Sequence, residues 1–315
     1  MNMLNKLGFI TTHRNMAMIL LCAISAGALA QTARRRGPIV RQVDQILIES
    51  GNPKALFSFF TDDLKLPIAW PMAAQKGYVS GGVSAGNIIL EIFQYTDRNG
   101  GFAKAQARYS GLAFEPYPLS NALTELQTSR IPFNPPEPQY SPLPDGSRGV
   151  SLTRVTLPSF SNAGFSVFLY EYSPSFLQVE VRRKQLGNRL TLNDGGPLGL
   201  QSVREIVIVT GNLKKRLATW NQLLGNPYSP GIWRIGSGPE IRLVEGQGAD
   251  RIQELILEVK YLDRAKAFLR KKGMLSPGGS SLNPAIVQQL RINLAESPKT
   301  DRGATLGAPA PRRQK

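Results

Sequence analysis

The sequence predicts an α+β fold in which four β-α-β-β-β modules pair into two curved mixed-sheet domains, one in each half of the chain. Three observations carry this. Residues 43–52 read V-D-Q-I-L-I-E-S-G-N and residues 203–212 read V-R-E-I-V-I-V-T-G-N, with Val, both Ile, Gly and Asn at matching offsets. Each copy alternates as a strand does, turns at Gly-Asn and runs into an amphipathic helix, the trace that an internal duplication leaves. A strand with an inner glutamate follows each copy, N-I-I-L-E-I at 87–92 and E-I-R-L-V-E at 240–245. Finally, the order strand-helix-strand-strand recurs from Val43, Tyr109, Val203 and Arg251, with room for one more short strand in each unit. A module of this kind leaves one sheet face bare, so two modules pair around a shared cleft.

In chain order, residues 43–50 form the first strand, with Ile46 and Ile48 on one face and Leu47 on the other. Pro53 suits the first turn of a helix, and Ala55, Leu56, Phe59, Phe60 and Leu64 make its apolar stripe. Residues 78–80 and 87–95 are expected as strands joined by a Gly81-Gly82 turn, 109–114 as a strand and 119–130 as a short helix. Six prolines between 131 and 149 predict a long irregular loop. Strands at 151–157 and 165–172 complete the first domain, residues 42–183. A linker over 184–201 turns at Asn193-Asp194-Gly195-Gly196. The second domain, residues 202–296, opens on a strand at 203–210 and a helix bearing Leu217, Trp220 and Leu224. Strands at 232–235, 241–245 and 251–259 follow, then a helix over 262–272 stopped by Gly273 and a last strand at 285–294. The Pro-, Ala- and Arg-rich tail, 297–315, is expected to be disordered. Gly81-Gly82 and Gly236–Pro239 lie between strands, outside the strand-to-helix setting of a phosphate-binding loop.

The 315 residues, 42% of them hydrophobic, are enough for two domains with real cores. A net charge of +16 raises the question of nucleic acid or anionic lipid. The basic residues are mostly scattered, with no zinc-finger spacing and no aromatic–basic interleaving, so no nucleic-acid partner is expected. At the N-terminus, Lys6, His13 and Arg14 precede an apolar run that ends G-A-L-A at residue 30. This pattern predicts a cleaved signal peptide over 1–30, followed by a flexible basic lead over 31–41, and a secreted or periplasmic protein. The run is short for an anchor and no second apolar span follows, so no stable membrane insertion is expected after cleavage. Cys22 and His13, the single cysteine and histidine, both fall in the removed segment. The mature chain is then without disulfides, thiol chemistry or any Ser-His-Asp arrangement.

The stretch V-D-Q-I-L-I-E, its helix ending F-F-T-D-D-L-K-L-P and the run G-G-V-S-A-G-N-I-I-L-E-I resemble the vicinal oxygen chelate superfamily, the glyoxalase, bleomycin-resistance and extradiol dioxygenase fold. In the second half, V-R-E-I-V-I-V, I-R-L-V-E-G and I-Q-E-L-I-L-E-V carry the same resemblance, which spans roughly residues 43–296. It implies a glyoxalase-like protein with a metal ligand on the first strand of a module and another on its last. The first-strand position falls on Gln45, Glu205 and Glu254, and on Ser110 in the second module. The last-strand position falls on Glu91, Glu171 and Glu245, and on Asn293 in the fourth. Every first-strand histidine of the family is missing, so the two-histidine, one-carboxylate iron site has no counterpart. The oxygen donors that remain would favour magnesium, manganese or calcium, if any metal binds.

Glu91 is the candidate catalytic residue, because a carboxylate inside an apolar strand is costly unless it is bound or neutralised. It can ligate a metal or act as general base on a small ligand, or it can face solvent or pair with a basic residue. Gln45 can be a ligand or a structural amide. Glu205 and Glu245 can share a cleft or pair with Arg204 or Arg242. Trp70, Trp233 and Phe114 are cleft aromatics or core. Three functions follow: a metal-assisted lyase or isomerase of the glyoxalase type acting on a small oxygenated molecule, a metal-free small-molecule binding or sequestering protein, and a structural or interaction protein with a decayed site.

Overall fold

A computed structural model describes residues 38–75, 77–97, 103–142 and 146–298. The expected signal peptide, most of the basic lead and the tail from residue 299 lie outside the described residues.

The first sheet has eight strands in the order β2-β3-β4-β1-β5-β8-β7-β6. These are β1 (Val40–Ser50), β2 (Ile68–Gln75), β3 (Tyr78–Ser84), β4 (Ile89–Tyr95), β5 (Ala107–Pro116), β6 (Glu137–Pro142), β7 (Arg148–Thr156) and β8 (Ser166–Tyr172). The order is symmetric about its centre. β1 runs antiparallel to β5, while β4 is parallel to β1 and β8 is parallel to β5. Each half of the sheet is therefore one β-α-β-β-β module, with helix α1 (Pro53–Ser58) in the first and α2 (Leu119–Thr128) in the second. The second sheet repeats the plan in shorter form, in the order β10-β11-β9-β12-β13. Its strands are β9 (Leu200–Thr210), β10 (Ile232–Trp233), β11 (Glu240–Glu245), β12 (Arg251–Val259) and β13 (Ile292–Glu296). The curved mixed sheets and the α+β modules are as the sequence predicts.

The duplicated decamers become β1 and β9, and each ends in the same helix cap. Asn52 and Asn212 hold φ/ψ near −141/77° and −144/77°, and each side-chain oxygen accepts from the amide three residues on. α1 continues as a π-helical turn over Phe59–Asp63, which buries Phe59 and Phe60. The remaining helices are α3 (Val179–Leu192), α4 (Leu213–Leu224), into which the second decamer leads, and α5 (Leu262–Lys271). One apolar core runs through both sheets and takes in Ile46, Ile48, Leu56 and Phe60 together with Ile206, Ile208, Trp220 and Trp233. Asn87 ties the sheets together: its side chain donates to the Val203 carbonyl and accepts from the Val203 amide, at 3.0 and 2.9 Å.

Four local expectations are corrected. Gly81 and Gly82 lie inside β3 and not in a turn, because Trp70 and Phe57 occupy the space their side chains would need. The proline-rich segment 131–149 contains β6, an edge strand on which Pro138 and Pro142 are tolerated. Residues 179–192, partly assigned to the linker, form α3, which buries only Leu186 and Leu190. Much of the segment 285–294 is a turn, with Gln288 and Gln289 at φ of 53 and 70°, so the last strand starts only at Ile292.

Candidate functional site

The inner face of the eight-stranded sheet, opposite α1 and α2, collects the candidate site. Alternation along β4 sends Leu90 and Ile92 into the core and leaves Glu91 on the inner face beside Ile89 and Phe93. A register shift between Val43 and Gln45 in the β1–β5 ladder interrupts alternation on β1. Such a bulge turns consecutive side chains to the same side, and Asp44 and Gln45 both reach the inner face. The Gln45 amide donates to Glu91 at 2.8 Å. The Tyr172 hydroxyl donates to Asp44 at 3.0 Å and lies 3.4 Å from the Gln45 amide oxygen. From β7 and β8, Arg154 and Tyr170 lie opposite each other, and the Arg154 guanidinium sits over the Phe168 ring.

Small residues make room for this cluster. A side chain at Gly82 would meet the Trp70 ring, and one at Gly111 would meet Phe168. At one end of the face, α3 contributes Arg182, whose guanidinium lies over both the Trp70 and the Tyr172 rings at 5.9 and 5.1 Å. It also stands 4.0 Å from Asp44.

Burial dominates the electrostatics. It pushes the Glu91 carboxyl from its ordinary 4.5 up to about 7, against hydrogen bonds from Ser80 and Gln45 that favour the charged form, with Asp44 adding repulsion. Burial also raises Asp44, and Arg182 partly offsets this. The Tyr170 and Tyr172 phenols are raised by burial first and by Glu91 and Asp44 respectively, so both stay neutral donors. The arrangement thus offers a carboxyl that gains and loses its proton near neutrality, two phenols and an amide.

The other predicted site residues lie elsewhere. Glu171 follows Tyr170 and so points to the opposite face, where its carboxylate accepts from the Leu119 amide at 2.7 Å and caps α2. Glu205 on β9 is buried and paired with Arg242, the ion-pair alternative that the sequence left open. Glu254 accepts from Asn293 at 2.8 Å, an echo in the second sheet of the Gln45–Glu91 contact. Glu245 is exposed at the end of β11. The hydroxyl of Ser110 donates to the Leu47 carbonyl. Trp233 and Phe114 are core, whereas Trp70 borders the inner face. Sequence reasoning missed Asp44, Tyr170, Tyr172 and Arg182. The polar pair D-Q at the start of an otherwise apolar strand was the one available signal for Asp44.

These donors do not fit the three-ligand metal centre that the resemblance implies. Among the described residues no group of three or more His, Cys, Asp or Glu side chains converges. Gln45 and Glu91 satisfy each other, Asp44 is held by Tyr172 and Arg182, and Glu171 is on the wrong face.

No family model and no curated protein matches the chain. Solved structures do. A hypothetical protein from Staphylococcus aureus aligns with 81% of this chain and 99% of its own, at a TM-score of 0.54 and 10% identity. A 2,3-dioxygenase, LapB, from a Pseudomonas strain aligns with 82% of this chain and 93% of its own, at 0.50 and 10%. A complex of homoprotocatechuate 2,3-dioxygenase from Brevibacterium fuscum with 3,4-dihydroxyphenylacetate aligns with 82% of this chain and 80% of its own, at 0.51 and 12%. At such low identity the likeness concerns the fold alone, which this chain shares with these 2,3-dioxygenase structures. Among the described residues no helix is long and apolar enough to cross a membrane.

Proposed function

We propose an exported protein that binds a small oxygenated molecule on the inner face of its eight-stranded sheet without a metal ion. The observation that carries this reading is Glu91, a carboxyl titrating near 7 beside neutral phenols and an amide, with no three-carboxylate or histidine cluster among the described residues to hold a metal. Such a group accepts from a hydroxyl when ionised and donates to a carbonyl or hydroxyl when protonated. Trp70 and Phe168 supply apolar contact, and Arg182 closes one end. Export rests on the sequence of residues 1–30.

The same carboxyl favours a second reading, an isomerase or lyase that works by proton transfer, since a general base is most effective when its pKa lies near the working pH. Elemental analysis and native mass spectrometry of the purified protein test the first reading. The expected result is a bound small molecule, no stoichiometric metal, and at least 10-fold weaker rebinding in Glu91→Gln. One equivalent of a divalent metal, lost in Glu91→Ala, would overturn it. Turnover of the released molecule by the wild type and not by Glu91→Gln would select the second reading.

A further inference from the structure

Between the two sheets, away from Glu91, lies a cleft of about 480 Å³, within the range of small-molecule sites. Tyr109, Ile252 and Leu290 give it a buried apolar lining, beside one buried carboxylate, Asp250. Three guanidiniums line it as well, from Arg108, Arg251 and Arg291. Arg108 is spent on Glu49. Among the described residues Arg251 donates to the Gln247 and Ala249 carbonyls, and neither Arg251 nor Arg291 is paired with a carboxylate there. The one acidic lining residue, Asp250, is neutralised by Arg216. The cleft therefore combines an apolar floor with uncompensated positive charge.

The backbone around it is held unusually firmly. Gln288 and Gln289 both sit at positive φ, a conformation that side-chain-bearing residues adopt only when their surroundings enforce it. The enforcement is visible. Ser50 donates to the Gln288 side chain at 2.7 Å, that side chain donates to the Asn52 carbonyl at 2.9 Å, and the Ala107 amide donates to the Gln288 carbonyl at 2.7 Å. The Tyr109 hydroxyl then fixes the Arg291 carbonyl at 2.9 Å. A strained turn held by four contacts brings Gln289 and Arg291 to the cleft wall.

We propose that this cleft is a second binding site, for a small organic anion: a carboxylate or phosphate group held by Arg251 and Arg291, with an apolar body against Ile252 and Leu290. Guanidinium favours both groups through paired, charge-assisted hydrogen bonds. This site is separate from the inner face and stands or falls independently of the function proposed there.

Calorimetric titration of the intact protein with phenyl phosphate, benzoate, inorganic phosphate and benzyl alcohol tests it and separates the two anion classes. At least one aromatic anion is expected to bind, more tightly than inorganic phosphate and less tightly as salt rises, with benzyl alcohol silent. The double variant R251Q/R291Q is expected to weaken binding at least 10-fold, while R270Q/K271Q, which removes two charges from α5, leaves it unchanged. Independently of any variant, the bound anion should protect Arg251 and Arg291, but not Arg270, from phenylglyoxal. Silence of both aromatic anions at millimolar concentration, equal binding of benzyl alcohol, equal loss in both double variants, or no selective protection would overturn the proposal.

Discussion

Replacing Glu91 with Gln keeps the size and shape of the side chain but removes the titration, so it reports what the carboxyl's displaced pKa does to stability. In the folded protein the group titrates at about 7, against an ordinary 4.5. The folded state therefore holds a proton that the unfolded chain releases between these values, and stability falls as pH rises through the window. The contribution is fully present below about 4.5 and is gone once the pH has passed through about 7. At about 1.36 kcal/mol per pH unit the displacement corresponds to at most ~3 kcal/mol. The Glu91 side chain is only half-buried, and residual solvent screening brings the expectation to ~1–2 kcal/mol. The assay is denaturant unfolding of wild type and Glu91→Gln from pH 4 to 9 at fixed ionic strength. The stability difference, wild type minus variant, should decline by that amount from acid to neutral pH. A difference that stays flat, or a Glu91 carboxyl resonance titrating near 4.5, would refute the argument that burial governs this site.

Four further outcomes are expected. Asn52→Ala and Asn212→Ala should each lower stability by ~1 kcal/mol in chemical denaturation, because each removes the side-chain acceptor from a helix N-terminus. Gly82→Val should displace Trp70 and cost ~1–3 kcal/mol, read from unfolding and from a changed tryptophan emission. Trp220→Ala should cost ~3–5 kcal/mol, since the ring is fully buried between Phe160 and Trp233. Arg182→Ala should move the Asp44 carboxyl still further up, measurable by carbon NMR titration, because Arg182 is the largest influence holding it down.

The framework of the fold was legible where local and tertiary demands agree. The decamers at 43–52 and 203–212 alternate because each strand is central in its sheet, and their Asn residues cap helices for reasons local to the turn. Elements whose existence depends on distant partners were not legible. α3 has a sparse apolar face and is held largely by charged contacts, Arg183 with Glu115 and Arg41 with Glu180. β6 forms because β7 offers it a ladder. In the site, Glu91 and Gln45 could be placed from the strand pattern. Asp44 and the two tyrosines could not, because a bulge and the pairing of β7 with β8 bring them there. Glu171 was assigned to the cleft by a one-residue slip, and in a strand such a slip reverses the face.

Among the described residues the eight-stranded sheet does not close on itself, so its outer strands are β2 and β6. A free margin is a template on which a neighbouring molecule can add its own strand and begin to aggregate. At β6, Pro138 and Pro142 have no amide hydrogen to offer, and at β2 Pro71 breaks the run in the same way. Both outer strands are thus poor starting points for fibril growth, a safeguard suited to a chain that exposes so long a sheet.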